Sequence, residues 1–406
     1  MTKSHPSHQI AGHLDAADPL TAVRGRFHYP DPPTTVYLTG NSLGLQPRSA
    51  RAAIEARMAE WGALGVRGWH ETDWMATERD LAASMAGIVG AMPSEVAVGG
   101  TLTGNLHNLM AGFYRPEGGR TRILMEADAF PSDQYAVASQ VQWHGLDPAS
   151  EVLAVPGGDA ALEQAIERHG SSIALVLLAG ANYYTGRVYD MRSIAAATRQ
   201  AGAVVGLDLA HAAGNVKLNL HNWDVDFAAW CGYKYLNGGP GAPAAFFVHE
   251  RHHLATTPRL AGWWGHDPET RFRMPDQFSP APGAAGWQIS TPSILALAPL
   301  TASLALFDEL GMERLSERSQ RLTAFLAELV QERLAGSVEI VTPLARGAQL
   351  SLRVKGGRGT FDRLSARGVV CDWREPDVIR AAPVPLYNTF SELADFVEML
   401  KGSLPD

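Results

Sequence analysis

The sequence predicts an α/β protein: a large domain built on a mostly parallel sheet, followed by a smaller α+β domain. Three observations carry this. Short runs that are almost wholly apolar, such as IALVLLAG (173–180), mark strands buried on both faces of a sheet. These runs alternate with helical patterns over about residues 70–290. Beyond residue 294, two long helical patterns lead into a group of shorter strands.

In chain order, a polar arm precedes a short strand, TTVYL (34–38), and RSARAAIEARMAEWGALG (48–65) has its apolar residues at helical spacing. Strands are expected at 95–100, 122–127, 151–156, 173–180, 203–209, 226–230 and 242–249. Helices are expected between many of them, including about 132–143, 159–168 and 191–201. The Pro- and Gly-rich stretch 275–293 reads as a packed loop, because Phe278 and Trp287 call for burial. Helices near 294–310 and 312–335 follow, and then VEIVTP, AQLSLRV, VVCDWRE and VIRAAP alternate with FDRLSARG and SELADFVEMLKG. The expected division is an arm and helix at 1–69 that pack on the small domain, a large domain at 70–293 and the small domain at 294–406.

With 406 residues, 46% apolar and 19% charged, the chain can bury two cores. A net charge of −8 and the absence of any Lys/Arg run argue against nucleic-acid binding, which needs a basic face. Cys231 and Cys371 form no CxxC pair, and no HExxH pattern groups the 14 histidines. The longest apolar run, 173–181, falls short of the roughly 20 residues that span a bilayer, and the first 20 residues lack a signal-like apolar stretch. A protein of the cytoplasm acting on a small molecule, with no membrane partner, is the expectation.

The strand AVVGLDL ends on Asp208, with His211 three residues on. A carboxylate at the carboxyl end of a central strand is placed either to bind a ligand or to cap the next segment. Lys234 follows one strand later, in CGYKYLNGGPG. A partly desolvated lysine attacks carbonyls, whereas one that only buries its stem reaches back to water. Together, Asp208 and Lys234 match what pyridoxal phosphate needs: an amine for its aldehyde and an anion for its pyridine nitrogen. EVAVGGTLTGNLHNLM supplies a strand, a turn and a helix whose first N–H groups, with Thr101 and Thr103, suit a phosphate. Tyr233 offers a phenol to the same phosphate, Phe130 a face for the ring, and Asp133 either a helix cap or a site carboxylate. Arg380, at the end of a strand in the small domain, has the fork that grips a substrate carboxylate.

These motifs resemble the kynureninase family of fold-type-I pyridoxal-phosphate enzymes, from about Tyr37 through Phe390. The stretches that carry the resemblance are LTGNSLGLQP, TLTGNLHNLM, FPSDQYA, YYTGRVYDM, DLAHAAGN, YKYLNGGPG, GWWGH and IRAAPVPLYNTF. The resemblance implies pyridoxal-phosphate-dependent hydrolysis of L-kynurenine to anthranilate and L-alanine in tryptophan degradation. It implies that Lys234 holds the aldehyde, Asp208 pairs with the pyridine nitrogen and Tyr233 shares the proton transfers with Lys234. Leu102, Thr103, Phe130, Pro131, Ser132, Asp133, His211, Trp263 and Thr291 would complete the cofactor site. Arg380, Asn41, Ser42, Gly44 and Trp69 would meet the substrate. A homodimer is implied too, with Trp263 and Thr291 reaching the neighbouring subunit's cofactor. Ala179 departs from the family in lacking a hydroxyl near the cofactor. Trp69 and Thr291, which replace a histidine and an asparagine of animal forms, point to the bacterial type, which prefers kynurenine to 3-hydroxykynurenine. Rival readings are a related cysteine desulfurase or aminotransferase, a ligand-binding protein and a metal hydrolase.

Overall fold

The computed structural model describes residues 6–31, 34–254 and 256–405. The strands are β1 (Val36–Tyr37), β2 (Val96–Val98), β3 (Arg122–Glu126), β4 (Val152–Val155), β5 (Ile173–Ala179), β6 (Val204–Asp208), β7 (Phe227–Trp230), β8 (Ala245–Val248), β9 (Val338–Ile340), β10 (Leu350–Val354), β11 (Val369–Val370), β12 (Asp372–Arg374) and β13 (Val378–Ala381).

All seven strands expected in the large domain join one sheet, in the order β2-β8-β7-β6-β5-β3-β4. Only β8 runs against its neighbours, pairing antiparallel with both β2 and β7. Six of the seven residues of β5 are buried, as a central strand covered on both faces requires. Gly206 of β6 stands opposite Phe227 of β7. A methyl group there would meet the Phe227 ring at 2.2 Å, so the glycine makes room for the aromatic side chain. On the helix Leu102–Phe113, buried Leu106, Leu109, Met110 and Phe113 recur at three- and four-residue steps, the spacing of one face turned to the sheet.

The C-terminal part is an antiparallel sheet, β12-β13-β10-β9, against the helices Met312–Leu334 and Phe390–Lys401. Leu350 pairs with Ala381 and Leu352 with Ile379 on the core face, whereas Ser351 pairs with Arg380 on the other. That alternation turns Arg380 away from the small core and toward the large sheet. The helix Phe390–Lys401 begins in a capping box between Thr389 and Glu392. Asp15 accepts from the Phe390 and Ser391 amides at 2.8 and 2.9 Å, and buried Asp18 accepts from Arg318 Nε at 2.6 Å. These bonds tie the arm to the C-terminal part.

Three details differ from the sequence expectation. The helix Ile294–Leu310 was expected to open the small domain, yet its Leu297, Leu300, Leu304 and Phe307 join the core of the large sheet. VVCDWRE is two strands, because β11 pairs with β1 of the arm while β12 pairs with β13. Within the loop 275–293, Trp287 is fully buried but Phe278 is 38% exposed and meets the His266 ring edge-on at 5.9 Å. Among the described residues no single helix is long and apolar enough to cross a membrane.

Candidate active site

The carboxyl ends of β5, β6 and β7 open onto a cavity of about 500 Å³, closed on the far side by residues of the small sheet. Ala179 and Asp208, the last residues of β5 and β6, are register partners and both line it. Lys234 lies in the turn that follows β7, so one strand crossing brings it to the same edge. Asp208 braces its own turn and also faces the cavity. Its Oδ1 accepts from the Ala210 amide at 2.7 Å, which steadies the turn after β6, while the carboxylate lines the cavity.

Asp133 does not cap its helix. The helix starts at Pro131, which puts Asp133 two residues inside, and its buried side chain is hydrogen-bonded to Asp208. Burial raises the pKa of both carboxyls, and the adjacent Asp208 pushes Asp133 higher still, whereas the Ala210 amide and Lys234 restrain the rise at Asp208. Of the two, Asp133 is therefore the one that holds its proton more firmly. His211 is held well below the usual imidazole range, first by burial and then by the cations Lys234 and Arg380, and stays neutral. Its Nδ1 is buried and unpartnered among the described residues. Tyr233 is pushed up to about 12 by burial and by Cys231, so it keeps its phenolic proton.

The helix Leu102–Phe113 points its N-terminus into the cavity, and the Thr101 side chain makes no capping bond there. The first-turn amides and the Thr101 hydroxyl are thus open to an anion. Thr103 Oγ1 lies 2.7 Å from Ser132 Oγ, joining two helix starts at one rim. Phe130 is 44% exposed at the mouth and meets Tyr183 edge-on at 5.1 Å. These residues fit a flat phosphorylated pyridine aldehyde: an anion cradle, an amine, a buried carboxylate, a neutral imidazole with a free nitrogen and an aromatic lid.

Across the cavity, Arg380 donates to the Tyr183 carbonyl at 2.8 Å and to Ser42 Oγ at 3.1 Å, and pairs with Asp372. Its side chain is 1% exposed. Asn41 donates to Gln349 at 3.2 Å, leaving its buried Oδ1 without a partner among the described residues.

Not every expected residue lines this cavity. Gly44 lies behind the lysine turn, where its amide donates to the Tyr233 carbonyl at 3.0 Å. A methyl group there would meet Asn237 Oδ1 at 2.1 Å and the Lys234 carbonyl at 2.5 Å, so Gly44 braces the turn by close approach. Pro131 serves as the first residue of its helix. Trp69 packs edge-on against Trp74 at 5.4 Å, and Trp263 packs against Phe272 at 5.4 Å, both off the cavity. Thr291 borders a neighbouring cavity that shares Thr101 and Gly241 with this one. Sequence reasoning missed Tyr183, Cys231 and Arg374, all of which line the cavity. A signal existed for Arg374: in CDWRE, Asp372 and Arg374 share the two-residue period of a strand face.

The model of the Kynureninase C-terminal domain family matches residues 315–400. The chain is 52% identical over 410 residues to a kynureninase of Xanthomonas axonopodis pv. citri (strain 306), covering 97% of each. It is 50% identical to a kynureninase of Koribacter versatilis (strain Ellin345), covering 96% of each, and 51% identical to one of Stenotrophomonas maltophilia (strain K279a), covering 98% of this chain and 97% of that one. Among solved structures it is similar in fold to the cystine C-S lyase C-DES in complex with cysteine persulfide, with a TM-score of 0.75 at 20% identity, covering 91% of this chain and 98% of that one. It is similar as well to the cysteine desulfurase CsdA of Escherichia coli, with a TM-score of 0.77 at 17% identity, covering 95% and 98%. At half identity over nearly its whole length, with Asp208, Lys234 and Arg380 gathered on one cavity, the chain belongs to the kynureninase family.

Proposed function

We propose that this chain is a pyridoxal-phosphate-dependent hydrolase that cleaves L-kynurenine to anthranilate and L-alanine in tryptophan degradation. The observation that carries the reading is the facing of Asp208 and Lys234 with Arg380 across one cavity. Lys234 would hold the cofactor aldehyde, Asp208 its pyridine nitrogen, and the Leu102–Phe113 helix start, with Thr103 and Tyr233, its phosphate. Phe130, Ser132, Asp133 and His211 would surround the ring. When bound, the cofactor supplies an electron sink for negative charge at the substrate α-carbon.

The chain's residues then bind, orient and move protons. Arg380, with Ser42 and Asn41 beside it, grips the α-carboxylate and sets the γ-carbonyl of the substrate within the cavity. Lys234 Nζ would accept the proton from Cα. Tyr233 Oη, its pKa pushed up to about 12 by burial, would donate the proton to the Cβ of the alanine fragment. One water is consumed: its oxygen ends in the anthranilate carboxyl group as the Cβ–Cγ bond breaks, and a proton ends on Cβ.

A desulfurase needs a mobile nucleophilic cysteine, whereas Cys231 and Cys371 are both buried with thiol pKa raised by that burial. Incubation of the purified protein and pyridoxal phosphate with L-kynurenine is expected to release anthranilate fluorescence and equimolar L-alanine. Failure to form either product, while the cofactor binds, sinks the reading. The same assay with 3-hydroxykynurenine is expected to give the lower kcat/KM, the preference carried by Trp69 and Thr291; an equal or higher value overturns that point.

The reading extends to a cytoplasmic homodimer with shared sites, and to a small domain, beginning after the helix Ile294–Leu310, that carries Arg380. Support for the dimer is apolar surface: Trp61, Val66, Leu254, Trp263 and Met274 are 57, 78, 67, 44 and 67% exposed. Trp263 and Thr291 would reach the partner's cofactor in that dimer. Sedimentation at micromolar concentration is expected to show twice the chain mass of 43.6 kDa, and a monomer would remove the shared-site part of the reading.

A further inference from the structure

The carboxylate seat already holds a carboxylate of the chain's own. β12 and β13 run antiparallel with Asp372 opposite Arg380, so strand alternation sets Asp372, Arg374 and Arg380 on one face. Asp372 Oδ2 accepts from Arg380 Nη2 and from Ser42 Oγ. Arg374 Nη2 stands 4.0 Å from the same oxygen, too far for a hydrogen bond and close enough to attract it. The Nε of both arginines is buried and unpartnered among the described residues. Arg380 and Arg374 line the cavity with Ser42. The exposures grade outward, with Arg380 at 1%, Asp372 at 20% and Arg374 at 39%.

A guanidinium as buried as that of Arg380 is costly to leave without an anion. Asp372 meets that need while the cavity holds no substrate. The three side chains together carry one net positive charge, which one substrate carboxylate neutralises.

Resting on the reading of this site as one for an α-amino acid, we propose that Asp372 is an internal stand-in for the substrate carboxylate. The incoming carboxylate displaces Asp372 from Arg380, and Arg374 receives it. Exchange of one carboxylate for another keeps Arg380 paired at every stage, so the seat opens without a stranded buried charge. Asp372 and Arg374 are positioning residues: they set how tightly the carboxylate binds and take no part in bond breaking. Ligands without a carboxylate cannot make the exchange and are selected against.

Asp372→Asn keeps the shape and an acceptor oxygen while removing the competing charge. In the holoenzyme it is expected to lower KM for L-kynurenine about fivefold, and to lower the Kd of L-alanine measured by calorimetry to match, with little change in kcat. Arg374→Gln is expected to raise KM about fivefold in the wild-type background and to change it little beside Asp372→Asn, where no displaced carboxylate needs receiving. A rise in both KM and Kd on Asp372→Asn overturns the proposal, since Asp372 would then only brace Arg380. Equal effects of Arg374→Gln in both backgrounds overturn it too. Should Asp372→Asn fail to fold, Arg374→Gln, on a more exposed side chain, decides alone, and an unchanged KM is the adverse result. Alanine binding is read without turnover, so a wild-type protein that binds alanine but leaves kynurenine intact fails the catalytic reading while the exchange is still tested.

Discussion

Lys234→Ala is expected to lower the turnover of L-kynurenine by at least about a thousandfold. Under the proposed function two tasks fall on the one amine: it would hold the cofactor aldehyde, and it would take the α-proton. The variant lacks both the tether and the amine base. Lys234 is partly buried in a turn at the cavity wall rather than in the core, so the variant should fold. Anthranilate fluorescence measures the loss, and the thermal unfolding midpoint checks the fold. Cofactor should pass through a desalting column unbound far more readily than from the wild type, because its covalent tether is gone. Turnover within tenfold of the wild type would remove Lys234 from the chemistry.

Asp208→Asn is expected to reduce kcat by about a hundredfold or more, with a smaller effect on KM. Asn keeps an oxygen for the Ala210 amide, so the turn after β6 should survive, but it cannot hold a proton on the pyridine nitrogen by charge. The structure adds a second consequence. The Asp208 charge is a principal reason, after burial, why Asp133 stays protonated. Without that charge the Asp133 carboxyl should ionise at lower pH. Asp133 is then the carboxyl left in that part of the cavity, and Asp208→Asn combined with Asp133→Asn should be slower than either single variant. Steady-state kcat with L-kynurenine and the visible spectrum of the bound cofactor are the measurements. An unchanged kcat for Asp208→Asn would reassign Asp208 to its turn-stabilising role alone.

The parts of this protein written in local patterns were legible. Each apolar run of the large domain became a strand of the one sheet, because a strand buried on both faces needs little beyond its own residues to be recognised. The strand–turn–helix at 96–113 and the spacing of Asp208, Lys234 and Arg380 were visible for the same reason: each lies in, at the end of or just past a strand the sequence itself defines. The resemblance then added what spacing cannot, the reaction and the residues a second subunit would lend.

Other features arise only from packing. Ile294–Leu310 is apolar on nearly every side, so its pattern did not say which core would take it, and the large sheet did. Asp133 sits at a helix start like any capping residue, and only the approach of β6 made it the proton-bearing neighbour of Asp208. Ser42 and Asp372 are 330 residues apart, and their contact exists because the arm's β1 pairs with β11 and carries the TGNSLG turn to the small sheet. Gly44 follows the same logic, its missing side chain explained by a turn 190 residues away. The sequence alone determined which elements form and which side chains stand at their ends, since propensity and periodicity act over a few residues. The tertiary structure decided which of those side chains share a charge, a proton or a wall, since burial and Coulomb forces depend on distance through space.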